Sequence, residues 1–149
     1  MDAQPARRPF ETRDLAAEPD AIAPDGSAIR LLPTLDGGGM AHATLPPGAV
    51  SLAVRHRTVE EIWYVVRGRG QVWRKQGDRE EVVDVHPGRS LTIPLGTHFQ
   101  FRTTGDEPFC FIMSTTPPWL GPEEAVRVGD HWPVPDPRQD PPAAPPQGD

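Results

Sequence analysis

Gly48-Ala-Val-Ser-Leu-Ala-Val-Arg-His-Arg-Thr-Val-Glu-Glu-Ile-Trp-Tyr-Val-Val-Arg-Gly68 is the stretch whose reading decides the fold. Side chains alternate across a strand, so Val50, Leu52, Val54 and His56 would share one face while Arg55 and Arg57 look the other way. After a turn at Thr58 the alternation resumes, with Glu61, Trp63 and Val65 on one face and Glu60, Ile62, Tyr64 and Val66 on the other. If the two strands bury the same side, the turn brings an imidazole and a carboxyl together, and Trp63 lies beside them. Gly68-Arg-Gly70 closes the stretch as a turn.

A second stretch, Gly88-Arg-Ser-Leu-Thr-Ile-Pro-Leu-Gly-Thr-His-Phe-Gln-Phe-Arg102, echoes the first. Ser90–Ile93 reads as a strand that stops at Pro94, because proline cannot donate to a central ladder. In the next run, alternation separates Phe99 and Phe101 from His98 and Gln100. Further strands are expected at Met40–Leu45, Gln71–Lys75, Glu81–Val85 and Phe109–Ser114, with a hairpin connection at Gln76-Gly-Asp78. This many short runs separated by turns predicts an all-β antiparallel barrel or sandwich.

The two stretches together resemble the signature motifs of the cupin superfamily, small jelly-roll barrels that hold a metal or a small molecule in the bore. The first family motif reads Gly, five residues, His-x-His, three or four residues, Glu, six residues, Gly. Gly48, His56, Glu61 and Gly68 fall in register, whereas Val54 stands at the first His. The second reads Gly, five residues, Pro-x-Gly, two residues, His. Gly88, Pro94 and Gly96 match, and Phe99 stands at the His. The resemblance implies one double-stranded antiparallel jelly-roll barrel over residues 27–116. It also implies inward-facing His56 and Glu61, and a homodimer in which N-terminal residues can be lent to a neighbour.

A divalent metal wants three or four ligands converging at about 2.0–2.2 Å. Val54 and Phe99 cannot ligate, so a metal held by His56 and Glu61 needs a substitute. His98 is one candidate, turned inward by a bulge, and His42 on the Met40–Leu45 strand is another. Without metal, His56 and Glu61 form a shared-proton pair suited to general acid–base work, with His56 as base and Glu61 as partner or acid. Some cupin-like sugar epimerases and isomerases work in this way. The alternative is a relic hydrogen bond that steadies the strand turn. Trp63, Phe99, Phe101, Trp73 and Gln71 are the expected walls of a small-molecule pocket, or equally the filling of a packed bore. The reading is therefore a small-molecule-binding cupin used as an isomerase, epimerase, cyclase or lyase. The alternatives are a non-catalytic ligand-binding or sensor module and a metal-dependent oxygenase with a rearranged site.

The bulk numbers agree with one small domain. The chain has 149 residues and a net charge of −6, with acids and bases interspersed, which argues against a nucleic-acid partner. No run approaches the ~18 apolar residues of a membrane span. The Arg7-Arg8 pair is followed by polar residues instead of an apolar segment, so no export signal is read there. The single Cys110 cannot form an internal disulfide, and a cytoplasmic home is expected. Residues 1–26 lack either hydrophobic period and read as a flexible arm. Residues 117–132 read as a packing segment, with a turn or two of helix at Gly121–Val126 and with Trp119, Leu120 and Trp132 laid over the barrel. Residues 133–149 are a Pro-rich tail expected to be disordered, in which Pro142-Ala-Ala-Pro145 is read as linker.

Overall fold

The computed structural model describes residues 8–134. It is all-β, with two antiparallel sheets facing each other across an apolar core. Strand β1 (Ala21–Ile22) pairs with β2 (Ala28–Thr34), β2 with β3 (Gly39–Leu45), β3 with β10 (Phe109–Thr116), β10 with β5 (Glu60–Arg67), and β5 with β8 (Ser90–Ile93). The second sheet runs β11 (Ala125–Arg127), β4 (Val54–His56), β9 (His98–Thr103), β6 (Gly70–Gln76) and β7 (Arg79–Val85). This is a jelly-roll sandwich whose sheets do not join into a continuous barrel. From β3 onward consecutive strands cross from one sheet to the other, as β4 to β5 does, except within the β6–β7 hairpin. That crossing carries His56 and Glu61 to opposite walls of the same bore.

The alternation read from the sequence sets which side chains fill the bore. Glu61, Trp63 and Val65 point inward from β5, opposite Thr115, Met113 and Phe111 of β10 and Ile93 and Leu91 of β8. Val54 and His56 point inward from β4, and Phe99, Phe101 and Thr103 from β9. The rings interlock. Trp63 stacks on Phe111 at 4.0 Å between centroids and meets Phe99 and Phe101 edge-on at 5.6 and 5.2 Å. Offset and edge-to-face pairs of this kind each add about 0.5–1.5 kcal/mol beyond the area they bury. The middle of the bore is therefore solid.

Three stretches differ from the sequence expectation. Regular alternation fails between Val50 and Ala53. Val50 makes only a bridge to Arg102, and Ser51 and Ala53, which should face outward, are fully buried. The cause is the C-terminal segment, which lies across the outer side of this stretch: Val128 N–H and Arg127 Nη1 donate to Ala53 O, and the Gln100 amide bonds both Ser51 O and Trp132 O. At Gly121–Val126 the helical portion is a single 3₁₀ turn, Pro122–Glu124. The chain then becomes β11 and extends the second sheet by pairing with β4. Trp132 packs beneath the Arg102 guanidinium at 4.5 Å, whereas Leu120 is 77% exposed. The arm expected over residues 1–26 lies along β2 in its described part. Arg30 bonds Ala16 O and Ala17 O, and the Asp20 carboxylate accepts from Leu31 N–H. Residues 1–7 of that arm, and the tail from 135 to 149, fall outside the described residues.

Gly68 shows why a motif position is glycine. Its φ is 74°, and a Cβ placed there would lie 2.2 Å from Pro108 O, so both backbone conformation and space exclude a side chain.

Candidate functional site

The site is the end of the bore where β4 hands over to β5. Val54 pairs with Phe99 in β9, which fixes His56 two residues on as the last inward side chain of its strand. Glu61 is the first inward side chain of β5, opposite Thr115 and Ile93. Both are nearly sealed, with 6% and 4% exposure. Glu61 Oε1 accepts from Trp63 Nε1–H at 2.8 Å, a bond made possible because residues two apart share a strand face. Glu61 Oε2 lies 3.9 Å from His56 Nδ1, beyond hydrogen-bond range, and that nitrogen is buried with no hydrogen-bond partner. The ring is flanked edge-on by Phe99 at 5.2 Å and by Trp119 at 5.3 Å. Trp119 follows the cis Thr116–Pro117 bond beyond β10 and covers the His56 ring from the side opposite the core.

Burial controls the protonation of both groups. It pushes the Glu61 carboxyl up from 4.5 to about 7; the Trp63 bond opposes the shift and the Asp25 carboxylate reinforces it. Burial lowers His56 from 6.5 to about 4, against a smaller opposing pull from Glu124. The pair is close enough to count geometrically as an ion pair, but desolvation outweighs the attraction and it is not one. Between about pH 4 and 7 a neutral imidazole faces a neutral carboxylic acid.

Glu124 and Asp25 act on the pair and are candidate site residues that the sequence reading missed. Glu124 is 5% exposed and caps the β4–β5 turn: its Oε1 accepts from Thr58 N–H at 2.8 Å and its Oε2 from Thr58 Oγ1 at 2.7 Å. In the sequence it passes for an acid in a helical first turn, and no periodicity links it to a threonine 66 residues away. Asp25 lies in a turn ordered by Ser27, whose N–H and hydroxyl both donate to its Oδ1, while the Asp25 carbonyl accepts from Leu52 N–H. Burial raises the Asp25 carboxyl as well.

Of the walls expected from the sequence, Trp63 and Phe99 touch or adjoin the pair. Phe101 lies deeper, wholly buried among Trp63, Phe109 and Phe111. Trp73 and Gln71 do not belong to the bore. They pair with Gln100 and Arg102 and share the outer face of the second sheet, where Trp73 stacks on His131 at 5.3 Å and donates to Glu80, and Gln71 bonds Asp84 and Arg102.

The residues present do not fit the divalent metal that the motif resemblance implies. Val54 and Phe99, 3% and 1% exposed, fill two of the four corners with carbon. His98 stays in regular register opposite Lys75 and points outward. His42 lies on the outer face of β3, between Arg30 and Ile112. Neither substitute ligand reaches His56 and Glu61, and among the described residues no group of three or more His, Cys, Asp or Glu is placed to hold an ion.

Comparison with known proteins gives a consistent picture of the family. The uncharacterized protein MJ1618 of Methanocaldococcus jannaschii is 32% identical over 103 residues, covering 66% of this chain and 79% of its own. The xanthan biosynthesis protein XanB of Xanthomonas campestris is 34% identical over 88 residues, but that match spans only 18% of XanB. Among solved structures, the E162A mutant of Bacillus subtilis oxalate decarboxylase OxdC superposes with a TM-score of 0.63 at 19% identity. The superposition covers 74% of this chain and 30% of that one, so it speaks for the fold alone. A Cupin domain family model matches residues 41–115, from the middle of β3 through nearly all of β10 and across both motifs, and the chain belongs to that family.

Proposed function

We propose that this cupin binds a small organic molecule at the Trp119-capped mouth and moves a proton on it, with His56 as base and Glu61 as acid, and with no resident metal. The observation that carries the reading is the unsatisfied His56 Nδ1, buried 3.9 Å from Glu61 Oε2. Buried polar atoms are almost always bonded, so an orphan facing a carboxyl is a place for a ligand oxygen that bridges the two. A neutral base beside a neutral acid is the pair required to take one proton and deliver another, as in isomerisation, epimerisation, cyclisation or elimination. The metal-dependent oxygenase reading loses its support, because His98 and His42 face outward.

A second reading, binding without catalysis, is favoured by the aromatic filling of the bore, which restricts a ligand to the mouth. The relation to a xanthan biosynthesis protein puts sugars first among the molecules to try. Ile62, Tyr64 and Val66, exposed on the outer face of β5, offer an apolar surface for the proposed homodimer, which sedimentation velocity would read directly. No helix among the described residues is long and apolar enough to cross a membrane, and a cytoplasmic location stays part of the proposal.

Incubating the protein with aldoses, ketoses and their phosphates in D₂O separates the readings by proton NMR. Deuterium entering beside a carbonyl, and ceasing in Glu61→Gln and His56→Asn, supports proton transfer. Thermal stabilisation without exchange supports binding alone. Neither effect across the set would refute a small-molecule site at this mouth.

A further inference from the structure

A second cleft, of about 170 Å³, opens between the edge of the second sheet at β6 and β7 and the edge of the first sheet at β8. It exists because the sheets do not join on this side, and it is walled by Arg74, Gln76, Arg79, Glu81, Thr92 and Thr97. Strand pairing explains the grouping. Arg74 lies opposite Glu81 and Gln76 opposite Arg79, so all four emerge on the inner face of the β6–β7 hairpin, beyond the point where the aromatic core ends.

The cleft is built in a way that a solvated charge cluster is not. The Arg74 guanidinium is held by two bonds, from Nη1 to Thr92 O at 2.9 Å and from Nη2 to Glu81 Oε1 at 2.5 Å. Its third nitrogen, Nε, carries an N–H that is buried and has no hydrogen-bond partner. Thr97 is 2% exposed, and its Oγ1 is also buried without a partner. Two of the residues that wall this cleft therefore each carry, just beneath its surface, a buried polar atom with an unmet hydrogen bond, although such atoms are uncommon in a folded chain. Two guanidinium groups stand there against one carboxylate. Glu81 is matched by Arg74, and Arg79 makes no ion pair among the described residues. The fixed donors and the surplus positive charge select an anion, and arginine's planar fork suits the two oxygens of a carboxylate. The volume lies below the roughly 300–1,000 Å³ of pockets for drug-sized ligands, so the anion is small.

We propose that this cleft binds a small carboxylate, with Arg74 Nε and Thr97 Oγ1 holding it at the base and Arg79 supplying charge at the rim. The site is separate from the His56–Glu61 pair and does not depend on that pair being catalytic.

The test is a ¹⁵N-resolved NMR titration of the full chain with succinate, with succinamide as its uncharged counterpart. Succinate should move the Arg74 Nε–H and the Thr97 amide resonances in a saturable way, and succinamide should leave them in place. Thr97→Val, nearly isosteric, and Arg74→Lys, which keeps the charge but loses Nε–H, should each weaken binding about tenfold, corresponding to about 1.4 kcal/mol. Arg79→Gln should weaken it as well, whereas His56→Asn should bind succinate as the parent does. Unchanged spectra that confirm the fold of each variant accompany the comparison. Absence of saturable shifts, equal response to succinamide, undiminished binding by Thr97→Val, or loss of binding in His56→Asn would overturn the proposal.

Discussion

Removing either member of the buried pair should tilt the stability of the protein with pH, in opposite directions. Glu61 holds its proton to about pH 7 in the folded chain but to about 4.5 when unfolded. Between those values the unfolded state has lost a proton that the native state keeps, so stability falls as pH rises, by about 3 kcal/mol at 1.36 kcal/mol per pH unit. His56 is the reverse. It releases its proton near pH 4 when folded and near 6.5 when unfolded, so stability rises across that window by about 3 kcal/mol. In the parent the slopes oppose each other and nearly cancel between about pH 4.5 and 6.5. Glu61→Gln, whose side-chain oxygen can still accept from Trp63, leaves the histidine slope alone, and stability should climb from pH 4 to 6.5. His56→Asn leaves the carboxyl slope, and stability should decline from pH 4.5 to 7. Groups that do not interact with the pair are common to all three proteins and drop out of the differences. Urea unfolding at half-unit pH steps resolves effects of this size in a domain whose total stability is about 5–15 kcal/mol. Two variants that both keep the parental pH profile would refute burial as the force acting on the pair.

Further outcomes follow from the same geometry. Replacing Val54 and Phe99 together by His should place three imidazoles and Glu61 around one point. The change should cost about 1–4 kcal/mol before metal is added, and divalent ions should then raise the melting temperature of the double variant but not of the parent. Gly68→Ala should destabilise the fold by about 2 kcal/mol or more in urea, because a left-handed φ combines with a Cβ driven against Pro108 O. Gly88→Ala, at a φ of 93° with nothing within 4 Å, should cost only the backbone strain, about 1 kcal/mol. Trp119→Ala should admit water to the His56 ring and move its titration upward toward 6.5, as ring NMR would show.

The alternation in Glu60–Arg67 carried most of the fold, because a strand with one face in the core and one in solvent displays its orientation in its residues. For that reason Trp63 could be placed beside Glu61, and the one-residue offset of His98 already argued for the outer face. Trp73 and Gln71 were misplaced because β6 is covered on both sides. A tryptophan buried under His131 and one buried in the bore look alike in sequence, and the covering segment begins more than fifty residues later. The burial of Ser51 and Ala53 under the C-terminal segment escapes the alternation for the same reason. Glu124 and Asp25 reach the site through loop contacts that follow no period, so only the folded chain reveals them.

The central claim is that burial, not ion pairing, sets the state of His56 and Glu61, and their titration tests it most directly. Protein labelled with ¹⁵N in the histidine rings and ¹³C at the glutamate carboxyls, followed from pH 3.5 to 8.5, should show His56 neutral down to about pH 4 and Glu61 protonated up to about 7. At pH 5.5 both should be uncharged. A charged imidazole beside a carboxylate at that pH would contradict the account.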